Sequence, residues 1–477
     1  MADPNRNHSR AQLTSLLHSF ALAPGIPFGA VFDLEYLLKV IAEEVADLGE
    51  TIYTPLATLC TFVSQVTSLD HSCRAAVARF LAWRLSVGLP ACSANDGAYC
   101  KARKRLPEHL LKRLALEGGR RLQAEAPGGW LFHGRVVKIV DGTGASMPDT
   151  PANQAAYPQP GNQAKGCGFP VARILVVISL ACGAVLDAAI GPTKGKKTGE
   201  NMLFRDLHAG LDEGDIVLGD RYFGSYRELA LLRARGVDSV MRIHQLRKVD
   251  FGLGRRTGRE DHVVRWAKPA RPDWMDEATY AALADGLEVR ELRVRVSQRG
   301  FRTRSLIVAT TLLDGSQYTA GELGSLYRAR WNIELDIRSL KQTLGMDILR
   351  CMTPEMVRKE IWCHLMVYNL VRTTMAGAAA VRGSCPRSLS FCGARQVLEA
   401  FGDSLRGASG ERYEVLVGAV LGAIATHRVG DRPDRYEPRV KKRRPKQYPL
   451  MKRPRAELRK ALAEASEAEA RLAETGY

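Results

Sequence analysis

The chain has 477 residues, enough for roughly two to four domains with buried cores. Lys and Arg number 69 and Asp and Glu 51, so the formal net charge is +18. That excess indicates a polyanionic partner, either nucleic acid or an anionic membrane surface. A membrane protein is disfavoured, because the longest apolar stretch, 174–186, is shorter than a bilayer span of about 20 residues. The N-terminus also lacks the apolar core of a signal peptide.

The ten cysteines show no zinc-finger pattern. Cys92 and Cys100, or Cys385 and Cys392, have neither the spacing nor the partner histidines of such a site. We therefore expect a reduced, cytoplasmic protein in which the thiols are incidental.

The first part of the chain, 10–125, has a helical pattern. Residues 32–48 and 74–85 are amphipathic runs, and a polar turn after Ser93 leads into a basic segment, 101–105. A small helical domain with a basic face is typical of a DNA-binding domain, although a solvent-exposed helix face explains the pattern equally well.

Beyond Arg135 the pattern changes to short β-branched runs, which predict strands. The predicted strands are 135–141, 173–180, 184–190, 215–220 and 239–244. The second and third strands are predicted to form a hairpin. A helix predicted between the last two strands indicates a strand-helix-strand unit. Residues 246–302 are basic and indicate a β-rich insertion, after which 303–313 returns to the core pattern. The tail, 439–460, holds eleven Lys or Arg against one acid, a composition that is usually solvated and often binds nucleic acid.

Two aspartates, Asp141 and Asp220, share a setting, because each ends an apolar strand and precedes turn residues. An acid in this place can face a cleft, since ligands of open α/β sheets bind beyond strand ends. A turn or helix-cap aspartate is the simpler explanation for either residue alone. The pair, together with a third acid on a nearby helix, favours a site.

The third acid, Glu334, lies on a helix predicted from Thr319. At about 3.6 residues per turn, Tyr327, Arg330, Glu334 and Lys341 fall within an arc of roughly 60°. An apolar stripe lies beside this row and consists of Leu326, Ile333, Ile337, Leu340 and Leu344. The opposite side of the helix is polar, with Arg328, Asn332, Asp336 and Thr343. The helix can dock by its stripe with the row at the core's edge, although a surface ladder of Arg–Glu pairs gives the same wheel. Three carboxylates in basic surroundings suit two Mg²⁺ ions about 4 Å apart.

The spacing Tyr327-x2-Arg330-x3-Glu334-x6-Lys341 resembles the signature of the insertion-sequence-4 family of DDE transposases. DGTGASMPDT from Asp141, with GCGFP at 166–170, looks like the family's first-aspartate region, and GDRYFGSY at 219–226 like its second. The resemblance covers about 135–345. It implies an α/β fold: an RNase H-like mixed sheet with flanking helices, interrupted by the insertion. The implied domains are a helical DNA-end-binding domain (1–125), a first core part (130–245), the β-rich insertion (246–302), a second core part (303–380) and a C-terminal helical region with the basic tail (381–477).

The resemblance also implies a function, cut-and-paste DNA transposition. Asp141, Asp220 and Glu334 would be the catalytic residues and would bind two Mg²⁺ ions, for which Mn²⁺ could substitute. The residues expected to contact DNA are Arg221, Arg242, Tyr327, Arg330 and Lys341. The expected partners are double-stranded DNA, as terminal inverted repeats and target, and a second copy of the chain in a homodimer. The expected location is the bacterial nucleoid in the cytoplasm, with no membrane contact.

Other interpretations of the sequence stay open. Trp266 or Trp274 of the insertion could stack on a flipped base, as in some family members, but core packing explains either equally well. The segment GPTKGKKTGE at 191–200 lacks P-loop spacing and suits a basic turn on DNA or a solvated loop. A catalytically inactive, transposase-derived DNA-binding regulator and a structure-specific nuclease are the alternative functions. Three intact acids favour the active enzyme, because acids in a groove that only bound DNA would repel phosphate.

Overall fold

The computed structural model describes residues 10–16, 31–46, 52–68, 70–195, 198–295, 305–430 and 449–475. Within these ranges the strands are β1 (Val137–Ser146), β2 (Val171–Ser179), β3 (Val185–Pro192), β4 (Ile216–Gly219), β5 (Asp238–Arg242), β6 (Arg255–Gly258), β7 (Asp261–Ala267), β8 (Gly286–Arg295) and β9 (Ser305–Thr310). They form one sheet in the order β3-β2-β1-β4-β5-β9-β8-β7-β6.

Helices cover the sheet and form both ends of the described chain. Before the first strand they are α1 (Arg10–Ser15), α2 (Leu34–Glu44), α3 (Pro55–Thr67), α4 (Cys73–Ser86), α5 (Gly97–Arg105) and α6 (Glu108–Ala124). Between strands lie α7 (Pro151–Ala156), α8 (Glu200–Leu207), α9 (Tyr226–Ala234) and α10 (Glu277–Ala282). After the sheet come α11 (Ala320–Ala329), α12 (Asn332–Arg338), α13 (Pro354–Val381), α14 (Phe391–Arg406), α15 (Gly410–Thr426) and α16 (Arg455–Thr475).

The first five strands have the mixed topology that the sequence predicted. β1 pairs antiparallel with β2, which forms the predicted hairpin with β3. β1 also pairs parallel with β4, and β4 with β5 across α9, which is the predicted strand-helix-strand unit. This RNase H-like arrangement confirms the predicted α/β fold class.

The β-rich insertion extends the core sheet. β8 pairs antiparallel with β9 from Arg290 opposite Thr310 to Arg295 opposite Ser305, and β9 pairs with β5. β7 and β6 then continue the sheet outward from β8. β9 therefore pairs with the backbone N–H and C=O groups on the side of β5 that faces away from β4. The strands of the insertion lie beyond β9.

Apolar residues cover both faces of the central strands, as parallel pairs require. Ile139 and Leu218 face a core shared with α3, α6, α11 and α13. Val140 and Val217 face a second core, which includes residues of α8 and α9. The N-terminal helices thus pack on the same core as the sheet, and the predicted domain boundaries stay a prediction.

Gly119 marks the close crossing of α6 over β3. A Cβ built there would lie 2.1 Å from the carbonyl oxygen of Val185. We expect Gly119→Ala to lower the free energy of unfolding by about 1–3 kcal/mol, because neither backbone can move without repacking. Gly118→Ala is the matched control, since its Cβ would meet side chains and no backbone, with the Phe32 ring nearest at 3.3 Å. Urea unfolding followed by circular dichroism measures the free energy of unfolding of both variants. An equal decrease in the two variants would contradict the close approach of α6 to β3 at Gly119.

Some sequence predictions fall outside the described residues. These include residues 439–448 of the basic tail, with six of its eleven Lys and Arg, and positions 196 and 197 in the basic turn. Among the described residues, no helix is both long and apolar enough to cross a membrane.

Candidate active site

Three polar residues lie at the same height in the sheet, just beyond the last parallel pairs. The prediction that Asp141 ends its strand is wrong, because β1 continues to Ser146 in antiparallel pairing with β2. The strand register aligns Ile139 of β1, Leu218 of β4 and Val240 of β5. Asp141, Asp220 and Arg242 each follow two residues later, so they project on the same face of the sheet as the aligned trio. That trio belongs to the core that α11, α12 and α13 cover. The two acids and the arginine therefore emerge at the edge of this core, beside the helix that carries Glu334.

The helix predicted from Thr319 begins as the sequence indicates. Thr319 and Glu322 form a capping box, in which the Glu322 carboxylate accepts the Thr319 N–H at 2.9 Å. The prediction of one continuous helix is wrong, however, because α11 ends at Ala329 and α12 starts at Asn332.

The break has a local cause. The side-chain amide of Asn332 donates to the Ala329 carbonyl at 2.8 Å, which in an α-helix would accept the Ile333 N–H. The N–H groups of 330, 331, 333 and 334 instead bond to carbonyls three residues earlier, at 3.1–3.2 Å. A π-helical turn, Ser339–Thr343, follows α12. Tightened and widened turns within one helical segment are frequent at functional sites.

Arg330 joins the strand acid to the helix acid. Its guanidinium lies 3.6 Å from Oδ2 of Asp141 and 3.8 Å from Oε1 of Glu334. The Asp141 side chain is 25% exposed and that of Glu334 40%, so both face an opening rather than the sealed core. The structure thus brings together acids that are far apart in the sequence.

Asp141 interacts electrostatically with each of the other two acids. Burial raises the pKa of Asp141, the Gly142 N–H and Arg330 lower it, and the charge of Asp220 raises it further. Burial likewise raises the pKa of Glu334, with Arg330 opposing and Asp141 adding to the effect. Carboxylates that disfavour each other's ionisation in this way favour a bound cation.

Tyr327 belongs to the same cluster. Burial raises the pKa of its hydroxyl, Arg330 and Arg242 lower it, and Asp220 raises it. A local hydrogen bond fixes the Asp220 carboxylate, because the Tyr222 N–H donates to its Oδ1 at 2.7 Å. Six of the eight predicted site residues therefore interact in one place: Asp141, Asp220, Arg242, Tyr327, Arg330 and Glu334.

The other two predicted residues flank this cluster. Arg221 is exposed, donates to Gln245 at 2.8 Å and lines an open groove of about 550 Å³ with several basic neighbours. Lys341 lies in the π-helical turn, about two helical turns beyond Glu334. The second cation that acts on Glu334, after Arg330, is Arg338.

Glu200 is an acid that the sequence reasoning missed. It begins α8, and its Oε1 lies 2.6 Å from where a Cβ of Gly142 would stand. Burial raises its pKa, Arg173 opposes, and the charges of Asp141 and Asp220 add to the rise. The only sequence signal is a glycine directly after Asp141, where a Cβ would displace the Glu200 carboxylate.

The donor chemistry of the site suits Mg²⁺. Its acids offer only carboxylate oxygens, the ligands that Mg²⁺ takes in proteins. In the described ranges, one set of three potential ligand atoms lies within 4.8 Å of one another, at Cys73, Asp96 and Cys100. The acids of the site are therefore more widely spaced than a cage for one ion, which is compatible with two ions about 4 Å apart.

The insertion's tryptophans are engaged within the protein. Trp266 is 2% exposed, donates its indole N–H to Glu291 at 2.7 Å and stacks under Arg247. The ring centroid of Trp274 lies 3.4 Å from the Arg205 guanidinium carbon. In this conformation both rings serve packing, and Trp266 presents no free face to a base.

Comparison with known proteins gives concordant matches. The family model described as "Transposase DDE domain" matches residues 132–370. The transposase InsG of insertion sequence element IS4 from Escherichia coli (strain K12) is 29% identical over 377 residues, 77% of this chain and 81% of that protein. The transposase of insertion sequence element IS421 from Escherichia coli is 34% identical over 65 residues, 14% of this chain and 18% of that protein.

A solved structure, a piggyBac transposase synaptic complex with hairpin DNA, aligns over 89% of this chain and 87% of its own. Its TM-score is 0.39 at 9% identity. The family model spans half of the chain and contains Asp141, Asp220 and Glu334. The chain therefore belongs to the DDE transposases, in the insertion-sequence-4 family.

Proposed function

We propose that this transposase cleaves the ends of its element in double-stranded DNA and joins them to target DNA by a cut-and-paste reaction. The observation that carries the proposal is the meeting of Asp141 and Asp220, from neighbouring strands, with Glu334 from a helix. These three residues would hold two Mg²⁺ ions, with Mn²⁺ as a substitute. When bound, the ions would activate a water or a 3′-hydroxyl and stabilise the leaving oxygen.

The cations beside the acids would place the scissile phosphate. Arg330 makes contacts of 3.6 and 3.8 Å to its two acids, longer than the 2.7–2.9 Å typical of charge-assisted hydrogen bonds. Its planar guanidinium can exchange those long contacts for a bidentate one to a phosphate. Arg242, at the end of β5, and the Tyr327 hydroxyl, on α11, lie in the same cluster and would also contact the phosphate.

The flanking cations would extend the DNA track. Arg221 on its open groove and Lys341 on the π-helical turn would bind backbone phosphates on either side of the cleavage point. The N-terminal helices would read the element's terminal inverted repeats. Since cut-and-paste movement handles two ends together, we assign the reaction to a homodimer on paired ends, acting at the bacterial nucleoid.

The proposal is tested with labelled duplexes that carry the terminal inverted repeats found beside the gene. The full chain is incubated with these duplexes and a target plasmid in Mg²⁺, Mn²⁺, Ca²⁺ or EDTA. We expect strand cleavage and joined products only in Mg²⁺ or Mn²⁺, resolved on denaturing gels. Tight binding to the repeats with no cleavage in any condition would instead identify a catalytically inactive DNA-binding regulator.

Glu200 gives a finer test of the same site. Glu200→Gln removes a negative charge that acts on Asp141 and Asp220 but leaves the side-chain shape. We expect the Mg²⁺ concentration for half-maximal cleavage to rise about two- to fivefold, the scale of one partly screened charge pair. Asp206→Asn, at an exposed position of the same helix, is the control and should change nothing. An unaltered Mg²⁺ dependence in Glu200→Gln would remove this residue from the site.

A further inference from the structure

A second group of potential metal ligands lies among the N-terminal helices, away from the acids of the active site. The Sγ atoms of Cys73 and Cys100 and a carboxylate oxygen of Asp96 all lie within 4.8 Å of one another. All three residues are partly buried, so the group is neither sealed in the core nor spread on the surface. Distances of this size are close to those between ligands of one tetrahedral ion, for which Zn–S is about 2.3 Å.

The helix geometry explains the arrangement. Asp96 is the N-cap residue of α5, yet its side chain makes no capping hydrogen bond, so the carboxylate is not committed to the helix end. Cys100 follows four residues later and lies one turn along on the same side of α5. Cys73 is the first residue of α4, and thus the group ties the starts of two helices together.

The surroundings supply a second layer of contacts to the sulfur. Arg103 donates to Sγ of Cys73 at 3.3 Å, and Gln65 donates to the same atom at 3.7 Å. Arg103 is itself 7% exposed and donates to Gln65 Oε1 at 3.1 Å, so its position is fixed. Hydrogen bonds to a ligand atom orient it and tune its charge in metal sites.

The charges also balance for a divalent ion. Two thiolates and one carboxylate bring three negative charges, and Zn²⁺ with the Arg103 guanidinium would neutralise them. Paired thiols in a reduced compartment are more often metal ligands than disulfides.

We propose that Cys73, Asp96 and Cys100 form a structural zinc site that fixes the basic helix α5 against α4. A solvent molecule or a further side chain completes the tetrahedral shell. Lys101, Lys104 and Arg105 of α5 are exposed on the helix so anchored. The zinc ion therefore sets the orientation of this basic face and takes no part in catalysis.

The test measures metal directly. Full-length protein, purified without a metal-affinity tag, should contain about one zinc per chain by plasma mass spectrometry. Cys73→Ser and Cys100→Ser should lose it, whereas Cys385→Ser, at an exposed thiol, should keep it. Replacement by Co²⁺ should give a thiolate-to-cobalt charge-transfer band. Asp96→Asn should keep that band but weaken Co²⁺ binding at least tenfold, since even loss of a supporting contact costs about 10–100-fold.

Two results would overturn the proposal. One is wild-type protein that holds no zinc after growth in zinc-supplemented medium and develops no thiolate band on Co²⁺ titration. The other is peptide mapping that finds Cys73 and Cys100 joined as a disulfide in protein purified under reducing conditions. The Co²⁺ titration of wild-type protein does not depend on whether a serine variant folds. None of these readouts requires DNA cleavage, so they stand apart from the proposed transposition chemistry.

Discussion

Replacing Glu334 by glutamine is expected to lower the rate of DNA-end cleavage by about a hundred- to a thousandfold, the scale seen when one preorganised charge-stabilising group is removed. The amide keeps the shape of the side chain but loses the charge that would hold a cation. DNA affinity should stay near wild type, because the phosphate contacts that we propose are assigned to other residues. The free energy of unfolding should also change little, since the Arg330–Glu334 contact is long and partly exposed.

The measurement is single-turnover cleavage of end DNA in Mg²⁺, with affinity measured in Ca²⁺ by fluorescence anisotropy. Glu399→Gln removes the same charge from an exposed position on α14 and serves as the control. Cleavage within tenfold of wild type in Glu334→Gln would refute the assigned role. A parallel loss of DNA affinity would mean that Glu334 shapes the binding surface instead.

The second large effect is expected two residues away, at Asp336. This side chain is fully buried and forms ion pairs with Arg372 and with Arg387, the latter at 2.6 Å. Arg387 also donates to the carbonyl oxygens of Leu180 and Ser179, so the group ties the site helix to the end of β2. Asp336→Ala would leave two guanidinium groups without their counter-charge inside the protein.

We expect Asp336→Ala to lower the free energy of unfolding by about 3–5 kcal/mol, the cost of breaking a buried ion pair by removing one partner. Asp336→Asn should cost less, because the amide oxygen still accepts one hydrogen bond. Urea unfolding followed by tryptophan fluorescence measures both, with Glu334→Gln as the neighbouring control. A change below about 1 kcal/mol for the alanine variant would show that the arginines are satisfied without the acid.

The strand acids could be predicted from the sequence because their signal is local. An apolar run that ends in an aspartate indicates the strand and the place of its acid, although β1 continues past Asp141 to Ser146. The parallel pairing then sets Asp141 and Asp220 level, two residues beyond Ile139 and Leu218. The hairpin and the strand-helix-strand unit follow from equally local patterns, as does the capping box that begins α11.

The features that escaped prediction depend on contacts between distant parts of the chain. Asp336 belongs to the polar side of a helical wheel, but partners 36 and 51 residues away allow it to be buried. Glu200 acts on Asp141 because its helix lies over Gly142, which no short-range pattern encodes. The helix break was not predicted because a helical wheel assumes one uniform repeat along the helix. The Asn332 side chain instead donates to the Ala329 carbonyl, which an uninterrupted α-helix would use for a backbone hydrogen bond.

The placement of the acids on the sheet and on an interrupted helix divides the site into a rigid part and a compliant part. β1 is hydrogen-bonded to β2 from Lys138 to Ser146 and to β4 as far as Ile139, so we expect amides near Asp141 to exchange slowly with solvent. The N–H groups around Arg330 and Glu334 lie in the tightened turn, whose hydrogen-bond geometry is poorer. In the proposed reaction, which first breaks and then makes DNA bonds, the aspartates would act as the stationary reference. Glu334 and Arg330 would be the groups that follow the phosphorus as it moves between its successive partners.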